Sequence, residues 1–359
     1  MSYTIPIGPY HPALEEPFKV KAVCDGEIMR SATIEVGFSF RGIELLCQKR
    51  NWMEVVTLVE RVCGICSNTH SMIFCMAAEK IAGIEAPKRA EFVRTIVAEL
   101  ERLHSHLLWA GIGAEDIGFR TLFMECYAAR ETVMDQLERL TGNRVNYGMN
   151  RVGGVNRDLG GLPDLVAAMA DLRRRLTEVV VPGFTANPTA RARLVGVGPL
   201  TRDQAIEWGV VGPVARASGL DIDVRRDEPY LAYAELGFTP SLRTDCDVFA
   251  RVVVRVEEML ESIRLIEAAA AAMPDGPLAA LDGWPTIPPG EATVRIEAPR
   301  GEVLYHVVSD GGPTPARVKI RTPSFVNIPA IEAMVPGQQL ADLAIIQASV
   351  DPCISCTDR

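Results

Sequence analysis

Residues 60–70 read ERVCGICSNTH and residues 351–356 read DPCISC, so that each stretch contains one Cys-x-x-Cys pair. Four thiolates in two such pairs are a common ligand set for a thiophilic transition metal. Zinc ribbons keep their two pairs roughly 15 to 20 residues apart, whereas these pairs lie near opposite ends of the chain. We therefore expect the fold to bring both chain ends to one metal centre. The four candidate ligands are Cys63, Cys66, Cys353 and Cys356.

The composition is that of an ordinary globular protein. The chain has 359 residues, 48% of them hydrophobic, which is enough for a large core. Its first residues lack the basic and apolar regions of a secretory signal, and no uninterrupted apolar stretch is long enough to cross a membrane. Nine cysteines without an export signal favour thiolate chemistry over disulfides. A net charge of -9 argues against nucleic acid as a partner.

Local patterns predict a small sheet followed by long helices. The Asp25-Gly26 pair lies between alternating segments of residues 19–40, which is a strong hairpin signal. Residues 41–61 and 68–81 are helical in composition, so the first cysteine pair is expected at a helix–loop–helix junction. Further helices are predicted over residues 87–108, 121–140, 163–181 and 245–273.

The rest of the chain predicts irregular and extended structure. Residues 144–162 are rich in Gly and Asn and predict an ordered loop over the helices. No segment matches GxxxxGK[ST] or the Rossmann glycine spacing, so nucleotide binding is not expected. Residues 201–204 read as a capping box, and residues 292–321 as strands joined by Gly turns before a last helical stretch. The expected fold class is α+β, mainly helical, with small flanking antiparallel sheets.

We expect one domain with three parts. Residues 1–50 would form the N-terminal sheet and first helix, and residues 51–290 a helical bundle that carries the first cysteine pair. Residues 291–359 would supply the C-terminal strands and the second pair. No repeat or low-complexity linker separates these parts.

Ligand chemistry alone leaves structural zinc, an iron-sulfur cluster, and a nickel or nickel-iron site open, because all accept four thiolates. Arg61 precedes the first pair, His70 follows it, and Asp351 precedes the second. Structural zinc needs no such proton-active neighbours, so they favour a catalytic metal. No ligand role is assigned to the other cysteines. Cys75, Cys126 and Cys246 are expected to be buried helical residues, and Cys24 and Cys47 to lie near the first sheet.

The two cysteine stretches resemble the signature motifs of nickel-iron hydrogenase large subunits. Further matches follow in the family's order at residues 41–44 (RGIE), 297–301 (EAPRG) and 322–327 (TPSFVN). The resemblance covers essentially the whole chain and implies the large-subunit helical bundle. The opening GPYHPALEEP is similar to the energy-converting, membrane-associated branch, which also resembles the quinone-site large subunit of respiratory complex I. That subunit lacks the four cysteines, so their presence favours a hydrogenase.

The resemblance implies a nickel-iron centre whose iron carries carbon monoxide and cyanide. Cys63 and Cys353 would be terminal nickel ligands, whereas Cys66 and Cys356 would bridge nickel to iron. Hydrogen would be split heterolytically, with Cys353 as the first proton acceptor. Glu16 matches the family glutamate that takes the proton from this terminal thiolate.

The resemblance also implies roles for residues around the metals. Arg300 matches the arginine over the open metal face, and Asp351 would hold it in place. His70 matches the histidine beside a bridging cysteine, where it donates a hydrogen bond to sulfur or cyanide. Ser324, beside Pro323, matches a position that hydrogen-bonds a cyanide.

Two positions depart from the family pattern. Respiratory uptake hydrogenases have an aspartate between two histidines under the arginine, where this chain has Ser105. Glu44 matches a carboxylate ligand of a distal magnesium or iron ion, but the family's C-terminal histidine ligand is replaced by Arg359. Glu15, next to the matched glutamate, is expected to be a surface carboxylate.

The resemblance implies a multisubunit complex. No remaining cysteines are spaced for an iron-sulfur cluster, so a small subunit would carry a 4Fe-4S cluster. A ferredoxin-like subunit and ferredoxin would exchange electrons with it. Integral membrane subunits would translocate ions, with this chain bound peripherally on the cytoplasmic face. Two alternatives remain: a quinone-reactive complex I-like subunit, and an assembly subunit with structural zinc.

Overall fold

The computed structural model describes residues 2–12, 14 and 16–359. The expectation for Glu15 lies outside these described residues. Within them the chain is mainly helical, with three small antiparallel sheets. The predicted fold class is therefore confirmed. No helix in this part of the chain is long and apolar enough to cross a lipid bilayer.

The first sheet contains the predicted hairpin. Asp25 pairs with Ile28, and Gly26 adopts a φ of 61° in the turn between them. The first strand of this sheet was not predicted, because it is largely exposed and contains Pro6, a residue that is rare within strands. In the order of the sheet, the strands are β1 (Ser2–Ile7), β2 (Lys19–Asp25) and β3 (Ile28–Glu35).

The third sheet confirms the predicted strands near the C-terminus and places Arg300 in a turn. Ala298 pairs with Gly301, so Pro299 and Arg300 form a two-residue hairpin turn. This turn projects Arg300 beyond the sheet. The strands are β6 (Gly290–Ala298), β7 (Gly301–Ser309) and β8 (Arg317–Arg321).

The predicted loop over residues 144–162 contains a short hairpin. Its strands are β4 (Asn150–Arg151) and β5 (Gly154–Val155). The prediction of irregular structure is wrong for these residues, because two-residue strands are too short to produce a detectable alternation.

The long helices appear in the predicted order, with corrected bounds. The helical segment at residues 41–61 is broken before Asn51, whose side chain starts the second helix in a capping box. The helix predicted to end at Leu108 continues to Asp116. The capping box at Thr201 and Gln204 is present.

In chain order the α-helices are α1 (Ile43–Cys47), α2 (Trp52–Glu60), α3 (Ser67–Ala82), α4 (Lys88–Asp116), α5 (Arg120–Thr141), α6 (Leu162–Arg175), α7 (Val181–Thr185), α8 (Pro188–Leu194), α9 (Arg202–Glu207), α10 (Gly212–Ala217), α11 (Val224–Asp227), α12 (Tyr233–Leu236), α13 (Val248–Ala271), α14 (Pro323–Asn327), α15 (Ile331–Met334), α16 (Leu343–Val350) and α17 (Ile354–Asp358). A π-helical turn, Leu176–Val180, joins α6 to α7, and 3-10 turns cover Ile328–Ala330 and Leu340–Asp342.

Two apolar cores position the candidate site. The larger core lies among α4, α5, α6, α13, α16 and the first sheet. The smaller core lies among α1, α2, α3 and the third sheet, and it contains both cysteine pairs. Because the second pair comes from the last residues, the C-terminal segment completes this core.

Candidate metal centre

The structure brings the two cysteine pairs together. The Sγ atom of Cys63 lies 3.4 Å from that of Cys353, and the Sγ atom of Cys66 lies 3.3 Å from that of Cys356. A disulfide bond would place the sulfur atoms about 2.05 Å apart, so these residues are thiols. None of the four is more than 4% exposed. The sulfur atoms of Cys63, Cys66 and Cys356 all lie within 4.8 Å of one another, and that of Cys353 adjoins Cys63, so these buried soft donors fit a thiophilic metal.

The backbone at each pair is held by the adjoining helices. The first pair occupies the predicted helix–loop–helix junction between α2 and α3, where the N–H groups of Ile65 and Cys66 lie 3.2 and 3.4 Å from Cys63 Sγ. At the second pair, Asp351 ends α16 with a φ of 60°, and Cys353 precedes α17. Backbone N–H groups directed at sulfur stabilise the thiolate form that a metal requires.

Arg41 ties the two cysteine motifs to each other. Its Nη1 donates to the carbonyl oxygen of Arg61 at 2.8 Å, and its Nη2 donates to those of Val62 at 2.8 Å and Ser355 at 2.6 Å. The family match at residues 41–44 includes Arg41, but the sequence assigned it no role. Its contacts depend on segments that meet only in the folded chain.

We expect Arg41→Ala to lower the nickel affinity of the purified protein by about 10- to 100-fold, the usual cost of removing a residue that orients metal ligands. The reason is the loss of all three hydrogen bonds between the motifs. Elemental analysis after dialysis against a chelator measures the effect. Arg50→Ala, at an exposed arginine, is the control. Equal nickel retention in the two variants would show that Arg41 does not support the centre.

Arg300 is buried beside the thiols and held by two partners. Its Nε donates to the carbonyl oxygen of Asp351 at 3.0 Å, and its Nη2 lies 2.8 Å from Asp351 Oδ1. Its Nη1 donates to Ser105 Oγ at 3.2 Å. Burial disfavours the charged form, but the charges of Asp351 and then Cys353 hold the pKa of Arg300 well above its usual value. The guanidinium is a permanent cation at the centre.

Close backbone packing fixes the turn that carries Arg300. A Cβ atom on Gly212 would lie 2.4 Å from Gly301 Cα and 2.5 Å from the carbonyl oxygen of Arg300, so no larger residue fits there. Arg102 donates to the carbonyl oxygen of Ala298 at 3.0 Å. Contacts from α10 and α4 therefore orient the hairpin turn from both sides.

A small cavity with room for about one water molecule lies beside the Cys66–Cys356 pair. It adjoins the cysteines that the resemblance assigns as bridging, and the residues expected to surround the iron line its wall. The lining residues are Cys66, His70, Ala298, Pro299, Arg300, Val303, Pro323, Ser324 and Cys356.

His70 links the centre to the third sheet. Its Nε2 lies 3.5 Å from Cys356 Sγ, and its Nδ1 lies 2.8 Å from the hydroxyl of Tyr305. Burial lowers the pKa of His70 to about 4, so the imidazole is neutral at pH 7. A neutral imidazole has one N–H group, so a hydroxyl that donates to Nδ1 leaves Nε2–H for the sulfur. Sequence analysis missed Tyr305, which no motif distinguishes.

Glu16 and Ser324 contact the backbone of the second cysteine motif. The Glu16 carboxylate accepts hydrogen bonds from the N–H groups of Ile354 and Ser355, the latter at 3.0 Å. Ser324 Oγ accepts one from the N–H of Cys353 at 3.1 Å. Burial raises the pKa of Glu16, although the N–H of Ser355 opposes this shift. The chain thus places an acid of raised pKa next to the second motif.

The surroundings of Glu44 do not fit a divalent cation. Its carboxylate accepts hydrogen bonds from the N–H of Ile320, from Arg359 Nε and from Arg317 Nη2, each at 3.1 Å, and from Lys319 Nζ at 3.3 Å. Three positive side chains already neutralise this carboxylate and would repel a metal ion. The structure therefore gives no support to the distal magnesium or iron ion suggested by the sequence.

Among the described residues, the other cysteines do not belong to the group of sulfur atoms that could hold a metal. Cys24, Cys47, Cys75 and Cys126 are buried. The expectation for Cys246 is wrong, because this residue precedes α13 in a turn with a φ of 65° and is partly exposed. The helix begins only at Val248, after the Asp247 cap.

Two family models match this chain. Residues 116–285 and 281–359 match the family described as respiratory-chain NADH dehydrogenase, 49 Kd subunit. Residues 41–110, which contain the first cysteine pair, match the family described as nickel-dependent hydrogenase.

Similar proteins cover the chain from end to end. It is 41% identical to the carbon monoxide-induced hydrogenase of Rhodospirillum rubrum, over 100% of this chain and 99% of that protein. It is also 41% identical to the alpha subunit of the membrane-bound hydrogenase of Pyrococcus furiosus, over 99% and 87% of the two chains. Identity to one subunit of the NADH-quinone oxidoreductase of Geobacter sulfurreducens is 34%, over 99% and 98%.

A solved structure shares the fold. A chain of the membrane-bound sulfane sulfur reductase, an archaeal respiratory membrane complex, aligns with a TM-score of 0.94 and 34% identity over 100% of this chain and 98% of that one. This protein therefore belongs to the family that unites nickel-dependent hydrogenases with the 49 kDa subunit of respiratory-chain NADH dehydrogenase. The resemblance found in the sequence is confirmed.

Proposed function

We propose that this chain is the catalytic large subunit of an energy-converting nickel-iron hydrogenase, which forms and oxidises hydrogen reversibly. The observation that carries this proposal is the meeting of four buried thiols with a buried arginine beside a small cavity. The two hydrogenase relatives, at 41% identity, also exceed the NADH-quinone oxidoreductase and sulfane sulfur reductase relatives at 34%.

Nickel would be held by all four cysteines, and iron by Cys66 and Cys356. The bound metals would supply the site at which hydrogen is cleaved heterolytically. The chain's own residues would transfer protons and supply positive charge around the metals. Cys353 would accept the first proton, and Glu16 would receive it, because its carboxyl lies against the same backbone segment. Arg300 would hold a fixed positive charge over the reacting face.

The proposed partners are the subunits needed to carry electrons to and from the metal centre. This chain has no further cysteines spaced for an iron-sulfur cluster, so a small subunit with a 4Fe-4S cluster would receive electrons from the centre. A ferredoxin-like subunit and ferredoxin would exchange electrons with that cluster. Integral membrane subunits would translocate ions, and this chain would lie peripherally on the cytoplasmic face. The relatives named as membrane-bound support this assembly.

Metal analysis tests the proposal. We expect one nickel and one iron per chain in the purified complex, infrared bands of metal-bound carbon monoxide and cyanide, and hydrogen evolution with a reduced ferredoxin. A complex I-like quinone-reactive subunit is the second candidate, favoured by the long 49 kDa family match. A complex without either metal would support it. Zinc without nickel would instead support a structural assembly subunit.

Glu16→Gln should slow hydrogen turnover by roughly 10²-fold or more, the usual contribution of a proton-transferring side chain. The amide keeps the shape of the side chain but cannot carry the proton. Proton–hydrogen isotope exchange at unchanged nickel content measures the effect. Glu27→Gln, at an exposed carboxylate near the first sheet, should match the wild type. Unchanged exchange in Glu16→Gln would remove this residue from the proton path.

A further inference from the structure

A second buried carboxyl lies beside the first cysteine motif. Glu101, on α4, is fully buried and accepts hydrogen bonds from the N–H groups of Asn68 at 2.7 Å and Thr69 at 3.0 Å, and from the Thr69 hydroxyl. None of the ion pairs of the described residues includes it. A buried carboxyl without a cation partner is costly to ionise.

A set of polar residues leads from this carboxyl towards Arg61, and its first link runs through the backbone N–H of Asn68. Asn150 Nδ2 donates to Asn68 Oδ1 at 2.8 Å and to Ser71 Oγ at 2.9 Å. Ser71 Oγ lies 3.3 Å from Glu60 Oε1 and 3.1 Å from the carbonyl oxygen of Asn68, and either oxygen can accept its single proton. We call Glu101, Thr69, Asn68, Asn150, Ser71 and Glu60 the polar chain.

The polar chain ends at a buried carboxylate that is paired with a surface residue. Glu60 is 3% exposed, and its Oε2 lies 2.9 Å from Nη1 of Arg61. The Arg61 side chain is 50% exposed. The Glu60–Arg61 ion pair therefore separates the outer end of the polar chain from solvent.

Several buried polar atoms along the polar chain have no protein partner among the described residues. They are Asn68 Nδ2 and Asn150 Oδ1, and the hydroxyl of Tyr147, which is outside the polar chain, also has none. Buried polar groups are almost always hydrogen-bonded, and those without a protein partner commonly bind internal water. Water at these atoms, together with the Thr69 and Ser71 hydroxyls, would give protons a path that the amide groups alone cannot provide.

The pKa of Glu101 depends on the charge at the cysteine centre. Burial raises the pKa of Glu101 to about 8, against the hydrogen bonds from Thr69 and Asn68, and the charge of Cys63 raises it further. Tyr147, in the loop after α5, interacts electrostatically with Glu101. Burial and then the charge of Glu101 raise the pKa of Tyr147, whereas the charge of Arg130 on α5 lowers it. Added negative charge at the centre would therefore strengthen proton binding at Glu101.

We propose that Glu101 is a redox-linked proton-binding site, which takes up one proton when the four-cysteine centre gains one electron. The electron comes from the complex's one-electron donor, and the proton comes from solvent through the polar chain. The carboxylate becomes a carboxylic acid, and reoxidation returns the proton by the same path. The inference rests on the proposed function, because it requires a reducible metal at the centre.

Infrared difference spectroscopy of the purified complex, reduced by dithionite minus oxidised, tests this proposal. Spectra are compared at about pH 9 and about pH 7, because burial raises the pKa of Glu101 to about 8. We expect reduction to produce a carboxylic-acid carbonyl band in the wild type, shifted in heavy water and weaker at about pH 7. A wild-type complex without this band would overturn the proposal.

Variants test whether Glu101 is the group that binds the proton on reduction. Glu101→Gln should abolish the band while nickel content stays unchanged. Glu91→Gln, on the same helix but paired with Lys88 near the surface, should retain it. Ser71→Ala should leave the band's size unchanged and slow its appearance, because it interrupts the polar chain without altering Glu101. A band that persists in Glu101→Gln would overturn the assignment, and a wild-type rate in Ser71→Ala would overturn the path.

The outcome separates this inference from the proposed function. Nickel in the complex with a band that Glu101→Gln does not change would reject only the inference. A complex that contains no nickel would reject both, since nothing at the centre could then be reduced.

Discussion

Arg300→Lys is expected to leave nickel and iron content unchanged while lowering hydrogen turnover by about 10²- to 10³-fold, a typical loss when one preorganised charge is removed from a reacting centre. Lysine keeps the charge but not the planar fork. In the wild type that fork reaches both Asp351 and Ser105. One ammonium group on a flexible stem cannot hold both partners and still face the cavity.

Arg295→Lys is the matched control, because Arg295 lies on the same hairpin but makes surface ion pairs with Glu228 and Glu302. Surface pairs contribute little to stability, so this variant should behave like the wild type. Hydrogen evolution and elemental analysis on the same preparations separate turnover from assembly. Near wild-type turnover in Arg300→Lys would refute a role for the guanidinium at the centre.

Cys356→Ser is expected to abolish binding of both metals and with it all hydrogen turnover. Cys356 would bridge the two metals, and its Sγ lies 3.3 Å from Cys66 Sγ and 3.5 Å from His70 Nε2. A serine hydroxyl is a hard, weakly acidic donor, and soft thiolates are what select such metals. Nickel and iron analysis, with the infrared bands of the iron ligands, measures the loss.

Cys75→Ser supplies the comparison for a buried cysteine that the centre does not use. Cys75 lies on α3, the same helix that follows the first pair, and burial raises the pKa of its thiol. Metal content should therefore persist, at a small cost in stability. Full metal content in Cys356→Ser, or equal loss in both variants, would contradict the assignment of ligands.

Much of the fold was predictable because its signals are local. The apolar spacing along α13 and the turn residues of the β2–β3 hairpin each act within a few neighbouring residues. The strand β1 was missed because its exposed residues and Pro6 weaken that signal. Cys246 was misplaced because the local composition does not show that the helix starts only after Asp247.

The residues of the site were predictable only where they lie in sequence motifs. The thiol ligands and Arg300 lie in motifs, so a sequence match was enough to select them. Arg41 lay in a matching motif but was given no role, and Tyr305 and Glu101 were not selected, since the contacts of all three join segments that are distant in sequence. His70 and Tyr305, for example, are 235 residues apart.

The sequence by itself determined the chemistry that is available: two pairs of thiols, an arginine in a hairpin motif and an acid near the N-terminus. Ligand type depends only on which side chains are present. Only the tertiary structure decided what these groups contact. It brought Arg300 to Ser105 across 195 residues, and it filled the surroundings of Glu44 with Arg359, 315 residues away. Such contacts arise from the packing of whole elements, which no local pattern encodes.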